Sequence, residues 1–194
     1  MKTSDKRDSI MQAAMDLIVE HGFHGAPMAI IAKKAGVAAG TIYRYFESKD
    51  TLIMELYGEV EGKFIARLQE GYSTELPIRE QFIHLGTAMF RYFIEHPLQF
   101  RYIEQYHDSP YGASLRRDRL MGKNDRGDVN LFKELLEQGI ARRMLKDVPL
   151  IVFFALAFAP LIFLTRDHIL GFVDMDEALI KKTTEACWDA IKRQ

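Results

Sequence analysis

One cysteine in 194 residues, Cys187, leaves no disulfide framework and no cysteine zinc site within the chain, which suits a reducing cytoplasm. Behind the charges of Met-Lys-Thr-Ser-Asp-Lys-Arg-Asp there is no apolar run, so no signal peptide is expected. Charge of one sign is missing too: 26 Lys and Arg stand against 27 Asp and Glu, a net charge of −1. Composition alone therefore points to no polyanionic partner. There is no Gly-x-Ser-x-Gly elbow, no phosphate-binding Gly-x-x-x-x-Gly-Lys loop and no His-Glu-x-x-His. The acid–base groupings Tyr106-His107-Asp108 and Asp167-His168 are neighbours in sequence, and on a helix such neighbours face different ways. No enzyme, cofactor or metal is expected: Gly22 breaks the helix between His21 and His24, and no third ligand lies near in sequence. Val148 to Leu164 is uncharged over seventeen residues, short of the roughly 20 a membrane span needs, and carries Pro149 and Pro160. It reads as a helix kinked at Pro160 and buried between its own domain and a second subunit, not a membrane anchor.

What remains is ordinary soluble material, 48% hydrophobic and 27% charged, patterned as an all-α fold of about nine helices. From Ser4 to His21 the residues Ile10, Ala13, Ala14, Leu17 and Ile18 recur at helical spacing, and Gly22 ends the stretch with Phe23 plugging the turn. Pro27 suits the first position of a second helix reaching Ala35, Gly36 the turn, and Ala38 or Ala39 to Phe46 a third helix. Ala32 is small where its partner helix approaches, and Val37 and Ile42 bury the third helix on the second. This is a helix-turn-helix, a unit that lays its second helix in the major groove of DNA. Although the chain is near-neutral, Lys33, Lys34, Arg44 and Lys49 are close in sequence, with Glu47 the one acid between them.

Ala-Gly-Val-Ala-Ala-Gly-Thr-Ile-Tyr-Arg-Tyr-Phe-Glu-Ser-Lys-Asp-Thr-Leu, residues 35 to 52, resembles the signature of the tetracycline-repressor (TetR) family of transcriptional regulators, with Gly22-Phe23 also matching. The close match covers about residues 8 to 57. The resemblance implies DNA contacts from Ala39, Gly40, Thr41, Tyr43, Arg44, Tyr45 and Lys49, to which local charge adds Lys33, and it implies repression by occlusion of a double-stranded operator. Two departures stand out: Ala26-Pro27-Met28 lacks the Thr or Ser often found there, and Ala38-Ala39 supplies no polar side chain. Physically, Arg44 is the residue able to make a bidentate contact to guanine, Thr41 and Tyr43 offer hydroxyls to phosphate, and Ala39 with Gly40 permits close approach to the backbone or a thymine methyl.

The head is drawn as residues 1–47 and the remainder, 48–194, as a helical effector-binding and dimerisation domain. Ser48 is placed to cap a helix that carries Leu52, Ile53, Leu56, Tyr57, Val60, Phe64 and Leu68 on one stripe and leaves the head without a linker. Beyond Pro77 the chain is rich in aromatics. Thirteen Phe, eight Tyr and nine Met favour a pocket for a small apolar or aromatic effector, with Phe64, Phe90, Phe93, Tyr102, Tyr106, Phe132, Phe154 and Phe158 as candidate lining. Residues 109–130, where Arg116, Arg117, Arg119, Lys123 and Arg126 alternate with acids, read as a solvated loop or frayed helix. The last two helices, Val148–Leu170 and Asp174–Lys192, each have more apolar surface than one partner needs and are assigned to a homodimer interface, Trp188 included. A reading from another class is a helical small-molecule carrier or enzyme whose head no longer binds DNA.

Overall fold

The computed structural model describes residues 3–120 and 128–194, and among them the regular elements are helices, with one isolated antiparallel bridge between Leu145 and Lys192. In order the helices are α1 (Thr3–His21), α2 (Met28–Lys34), α3 (Ala39–Ile42), α4 (Lys49–Gln69), α5 (Ile78–Glu95), α6 (Pro97–His107), α7 (Pro110–Leu120), α8 (Asp128–Ala141), α9 (Leu150–Ala157), α10 (Ala159–Ile169) and α11 (Glu177–Ile191). Of the polar stretch 109–130, Pro110–Leu120 is helical, while Lys123, Asp125 and Arg126 lie outside the described residues. Contacts divide the chain into two compact units.

Unit 1 comprises Met1–Glu61 with Leu98–Leu115. Its core joins Ile10, Ala14, Leu17 and Ile18 of α1 to Ile31 and Ala32 of α2, Ile42 of α3, and Leu52, Ile53 and Leu56 of α4. Tyr102 and Tyr106 of α6 belong to the same cluster. The Tyr102 hydroxyl donates to the Ile53 carbonyl at 3.0 Å, the Tyr106 ring stacks on Tyr57 at 3.9 Å, and the Gln105 amide donates to the Val19 carbonyl at 3.1 Å. Arg7 of α1 donates to Glu55 at 2.7 Å and to Glu59, both on α4, and its guanidinium lies 5.5 Å from the centre of the Phe46 ring. These contacts draw the first half of α4 and all of α6 after Pro97 into the head. The unit division therefore falls elsewhere than the boundary drawn at residue 47.

Unit 2 comprises Gly62–Pro97 with Arg116–Gln194 and is built around α5. That helix buries Ile78, Phe82, Leu85, Met89, Phe90 and Phe93. Gly86 is required by α11, since a Cβ there would stand 2.8 Å from Thr184 Cγ2. The α4–α5 connection is fixed by the fully buried Gln81, whose amide donates to the carbonyls of Thr74 (3.1 Å) and Leu76 (2.8 Å) and whose oxygen accepts from the Tyr72 hydroxyl (2.9 Å). A buried amide satisfied on both sides stabilises a unique loop conformation.

Two expectations need correction here. The run 148–164, expected as one helix kinked at Pro160 and covered by its own domain and a second copy, is two separate helices. It breaks at Phe158 (φ −120°, ψ −27°), because Pro160 has no N–H and its ring collides with the carbonyl four residues back. Phe153, Ala157, Leu161 and Thr165 point inward, while Ile151, Val152, Leu156 and Phe163 keep 38–55% of their surface exposed. Trp188, assigned to the dimer interface, is instead interior: its ring centre lies 5.7 Å from that of Phe82 and it is 5% exposed. On α11 the inner face is Ile180, Thr184, Cys187, Trp188 and Ile191, which leaves Ala186 exposed and Leu179, Thr183 and Ala190 half-buried.

Candidate nucleic-acid interface

The turn between α2 and α3 follows directly from Gly36. At φ +68° it takes a left-handed conformation that costs a glycine little, and no atom lies within 4 Å of where a Cβ would stand. Gly36 N–H donates to the Lys33 carbonyl (3.2 Å) and Val37 N–H to the Ala32 carbonyl (3.0 Å), the paired bonds of a Schellman motif. The half-buried Val37 packs back on the core. Pro27 proves to be the N-cap of α2 (φ −67°, ψ 149°) and not its first helical residue; its carbonyl accepts from Ile30 and Ile31 at 2.9 and 3.0 Å.

The third helix is shorter than its sequence pattern predicts. Around Ile42 the bonding is mixed: Arg44 N–H donates to Thr41 and Tyr45 N–H to Ile42, both i→i+3 at 3.1 Å, while Phe46 N–H donates to Ile42 at 3.0 Å. A β-branched pair followed by three aromatics and an arginine is poor helix material, and Phe46, fully buried, draws the chain back to the core. Ser48 then caps α4 by accepting from Thr51 N–H at 3.1 Å.

Of the residues expected to meet DNA, Lys33, Ala39, Gly40, Tyr43 and Arg44 are exposed, Tyr43 by 58%. Thr41 is half-buried, and Tyr45 is half-buried against the unit-1 core. Lys49 is differently placed: its ammonium donates to the Phe23 carbonyl, and desolvation there lowers its pKa. It ties the α1–α2 turn to the start of α4. Lys34 pairs with Asp16 of α1 at 3.3 Å. From Gly25 to Phe46 the chain carries Lys33, Lys34 and Arg44 and no carboxylate. One exposed residue escapes the sequence reading: Ile30, 47% exposed, is hidden there by the apolar neighbours Met28 and Ile31, which face the core.

The candidate effector residues do not form one set. Tyr102 and Tyr106 belong to the unit-1 core, where burial pushes the Tyr102 hydroxyl far above its usual range. In unit 2, Phe132 meets Phe158 at 4.6 Å and Phe154 at 5.2 Å between ring centres. Phe64 stacks on Phe93 at 4.8 Å, with Tyr92 5.4 Å from Phe64, and Phe90 is fully buried on α5. Desolvation raises the Tyr92 hydroxyl to about 12.

Residues 10–56 match the family described as bacterial regulatory proteins, tetR family, and residues 77–192 match the tetracyclin repressor-like C-terminal domain. A fatty acid metabolism regulator protein of Bacillus subtilis is 40% identical over 139 residues, covering 71% of this chain and 70% of its own length. An HTH-type transcriptional regulator of Haemophilus influenzae is 26% identical over 190 residues, 98% of this chain and 97% of its own. Among solved structures, a TetR family transcription regulator from Marinobacter aquaeolei VT8 shares the fold with a TM-score of 0.85 at 24% identity, covering 98% of this chain and 97% of that one.

Proposed function

Because the chain belongs to the tetR family of bacterial regulatory proteins, we propose that it is a cytoplasmic homodimeric repressor whose paired heads occupy one DNA operator and leave it when a fatty acyl effector binds unit 2. The observation that carries the reading is the exposed, carboxylate-free surface of α2 and α3, with Lys33 on α2, Arg44 just past α3 and the turn between the two helices locked by Gly36. Such a surface neutralises phosphates locally even though the whole chain is near-neutral. Arg44 supplies the bidentate guanine contact, Lys33 and the Tyr43 hydroxyl engage the backbone, and Gly40, with open space around it, admits close approach. Lys49 acts as a brace, positioning the turn that precedes α2.

The effector class comes from two supports. The Bacillus subtilis relative is a fatty acid metabolism regulator, and the interior of unit 2 is aromatic, its fully buried polar groups Gln81, Thr165 and Thr184 already hydrogen-bonded within the protein. Phe64, Phe90, Phe93, Phe132, Phe154 and Phe158 would line an acyl chain. The second copy covers the apolar outer side of α9 and α10 together with the outer face of α11, and sets the two heads about 34–36 Å apart for successive major grooves. A coupling of about 1–3 kcal/mol, a 5- to 150-fold change in affinity, suffices for regulation.

Selection of bound duplexes from random DNA tests the reading. A palindromic site should emerge, its affinity falling with log salt by about 0.9 per phosphate contact. Palmitoyl-CoA should weaken binding to that duplex. Arg44→Ala should flatten the preference at one base pair per half-site, a loss of about 1–3 kcal/mol, with the dimer intact. No selected site would sink the regulator reading, an unchanged profile for the variant would remove Arg44 as reader, and indifference to the thioester would remove the acyl effector.

A further inference from the structure

The outward side of the head has an unusual chemistry for a surface that reads hydrogen-bonding base edges. The exposed residues of α2 are Ala29, Ile30, Lys33 and Lys34, and those around α3 are Ala38, Ala39, Gly40, Tyr43 and Arg44. Lys34 is engaged by Asp16, and Arg44 lies beyond the C-cap of α3 at Tyr43. The leading part of the exposed surface is thus Ala38, Ala39 and Gly40, none of which has a side-chain donor or acceptor. Ala38, the N-cap, makes no side-chain hydrogen bond. Ile30 adds a large aliphatic group, 47% exposed.

A recognition helix presents its first residues to base edges in the major groove. Methyl side chains there cannot satisfy the donors and acceptors of guanine, cytosine or adenine. The one base-edge feature they match is the 5-methyl group of thymine, which is apolar and projects into the major groove. The cations Lys33 and Arg44 are exposed on the same stretch and no carboxylate lies from Gly25 to Phe46, which matches a polyanion whose groove carries apolar groups. Resting on the regulator reading above, we propose that this head recognises its operator chiefly by thymine 5-methyl contacts from Ala38, Ala39 and Ile30, with Arg44 supplying the hydrogen-bonded contact.

The test replaces thymine by uracil, one position at a time, in the duplex selected from random DNA. Uracil keeps every hydrogen-bonding group and the pairing of thymine and removes only the methyl. Burying one methyl-sized group corresponds to a factor of about four in affinity. Binding should weaken by about that factor at two or more thymines per half-site, and a 5-methylcytosine·guanine pair at those sites should bind better than an unmodified one. Ile30→Ala and Ala39→Gly should each abolish the uracil penalty at one position while leaving the others. A selected duplex that tolerates uracil throughout overturns the methyl reading and leaves the regulator reading standing, and so does a uracil penalty that neither variant changes. If no duplex is selected, both fall together.

Discussion

Lys49 shows how a residue noticed in the sequence can carry a contact that the sequence does not announce. Sequence spacing makes it one more cation beside Arg44, but its ammonium is aimed at the Phe23 carbonyl, a contact made across 26 positions that no local pattern announces. Tyr102 and Tyr106 teach the same lesson. Their helical spacing makes them buried, and only the packing shows that they are buried against Ile53 and Tyr57 of the head. Buried acids that must stay neutral also set a pH limit. Desolvation raises the Tyr92 hydroxyl from 10.0 to about 12 and the Cys187 thiol from 9.0 to about 11. A raised folded-state pKa stabilises the fold below the unfolded value, and that contribution is lost as pH rises through the folded one. Denaturation midpoints followed by circular dichroism should thus hold to about pH 9 and fall between about pH 9 and 12. A Tyr92→Phe, Cys187→Ala protein should lose less over this window, and an identical decline in both proteins would assign the alkaline limit to other groups.

At the scale of elements, the long helices were legible and the short ones were not. Leu52, Ile53, Leu56, Tyr57, Val60, Phe64 and Leu68 recur with one period along a helix of 21 residues, enough turns to define both the helix and its inner face. The four residues of α3 complete barely one turn, and a mixture of i→i+3 and i→i+4 bonding leaves no trace in composition. Gly36 was legible because its conformation is chemical: only the absence of a Cβ makes φ +68° cheap. Gly36→Ala should destabilise the chain by about 1–2 kcal/mol in urea titrations. Gly36→Asn should recover much of this, since asparagine visits the left-handed region more readily. With no neighbour within 4 Å of the added atom, an equal loss for both variants would mean that something besides backbone conformation is at work.

For the whole molecule, the contrast between Trp188 and Phe163 decides how assembly should be probed. Sequence treats both as large apolar groups near the C-terminus. Trp188 is enclosed by its own chain, so Trp188→Asp would unfold unit 2 and say nothing about a dimer. Phe163 is 55% exposed on α10, in line with the open sides of Ile151 and Leu156. Phe163→Asp should therefore leave helical content and melting cooperative while shifting sedimentation to the monomer and weakening operator binding. A Phe163→Asp protein that stays dimeric would place the interface elsewhere. The segment Leu150–Ile169, α9 and α10 together, is long and apolar enough to cross a membrane, yet only 28% of its apolar window is buried within one chain, and a second copy would cover the rest. Periodicity could not reveal this, because a run that is apolar all round does not say which side its own domain takes.

The α4 helix gives Lys49–Glu61 to one unit and Gly62–Gln69 to the other, and it carries Gly58 and Gly62 one turn apart. Neither glycine has a positive φ, and an added Cβ at either would meet nothing within 4 Å. Each makes the helix about 1 kcal/mol less favourable than alanine would, with no packing gain in return. Protein engineers would count these as vacant sites for thermostabilisation, open to alanine without disturbing the core. If response to an effector depends on a compliant helix, the same substitutions would yield a sturdier protein that has become harder to induce. Two unoccupied Cβ positions would then mark where durability and responsiveness compete.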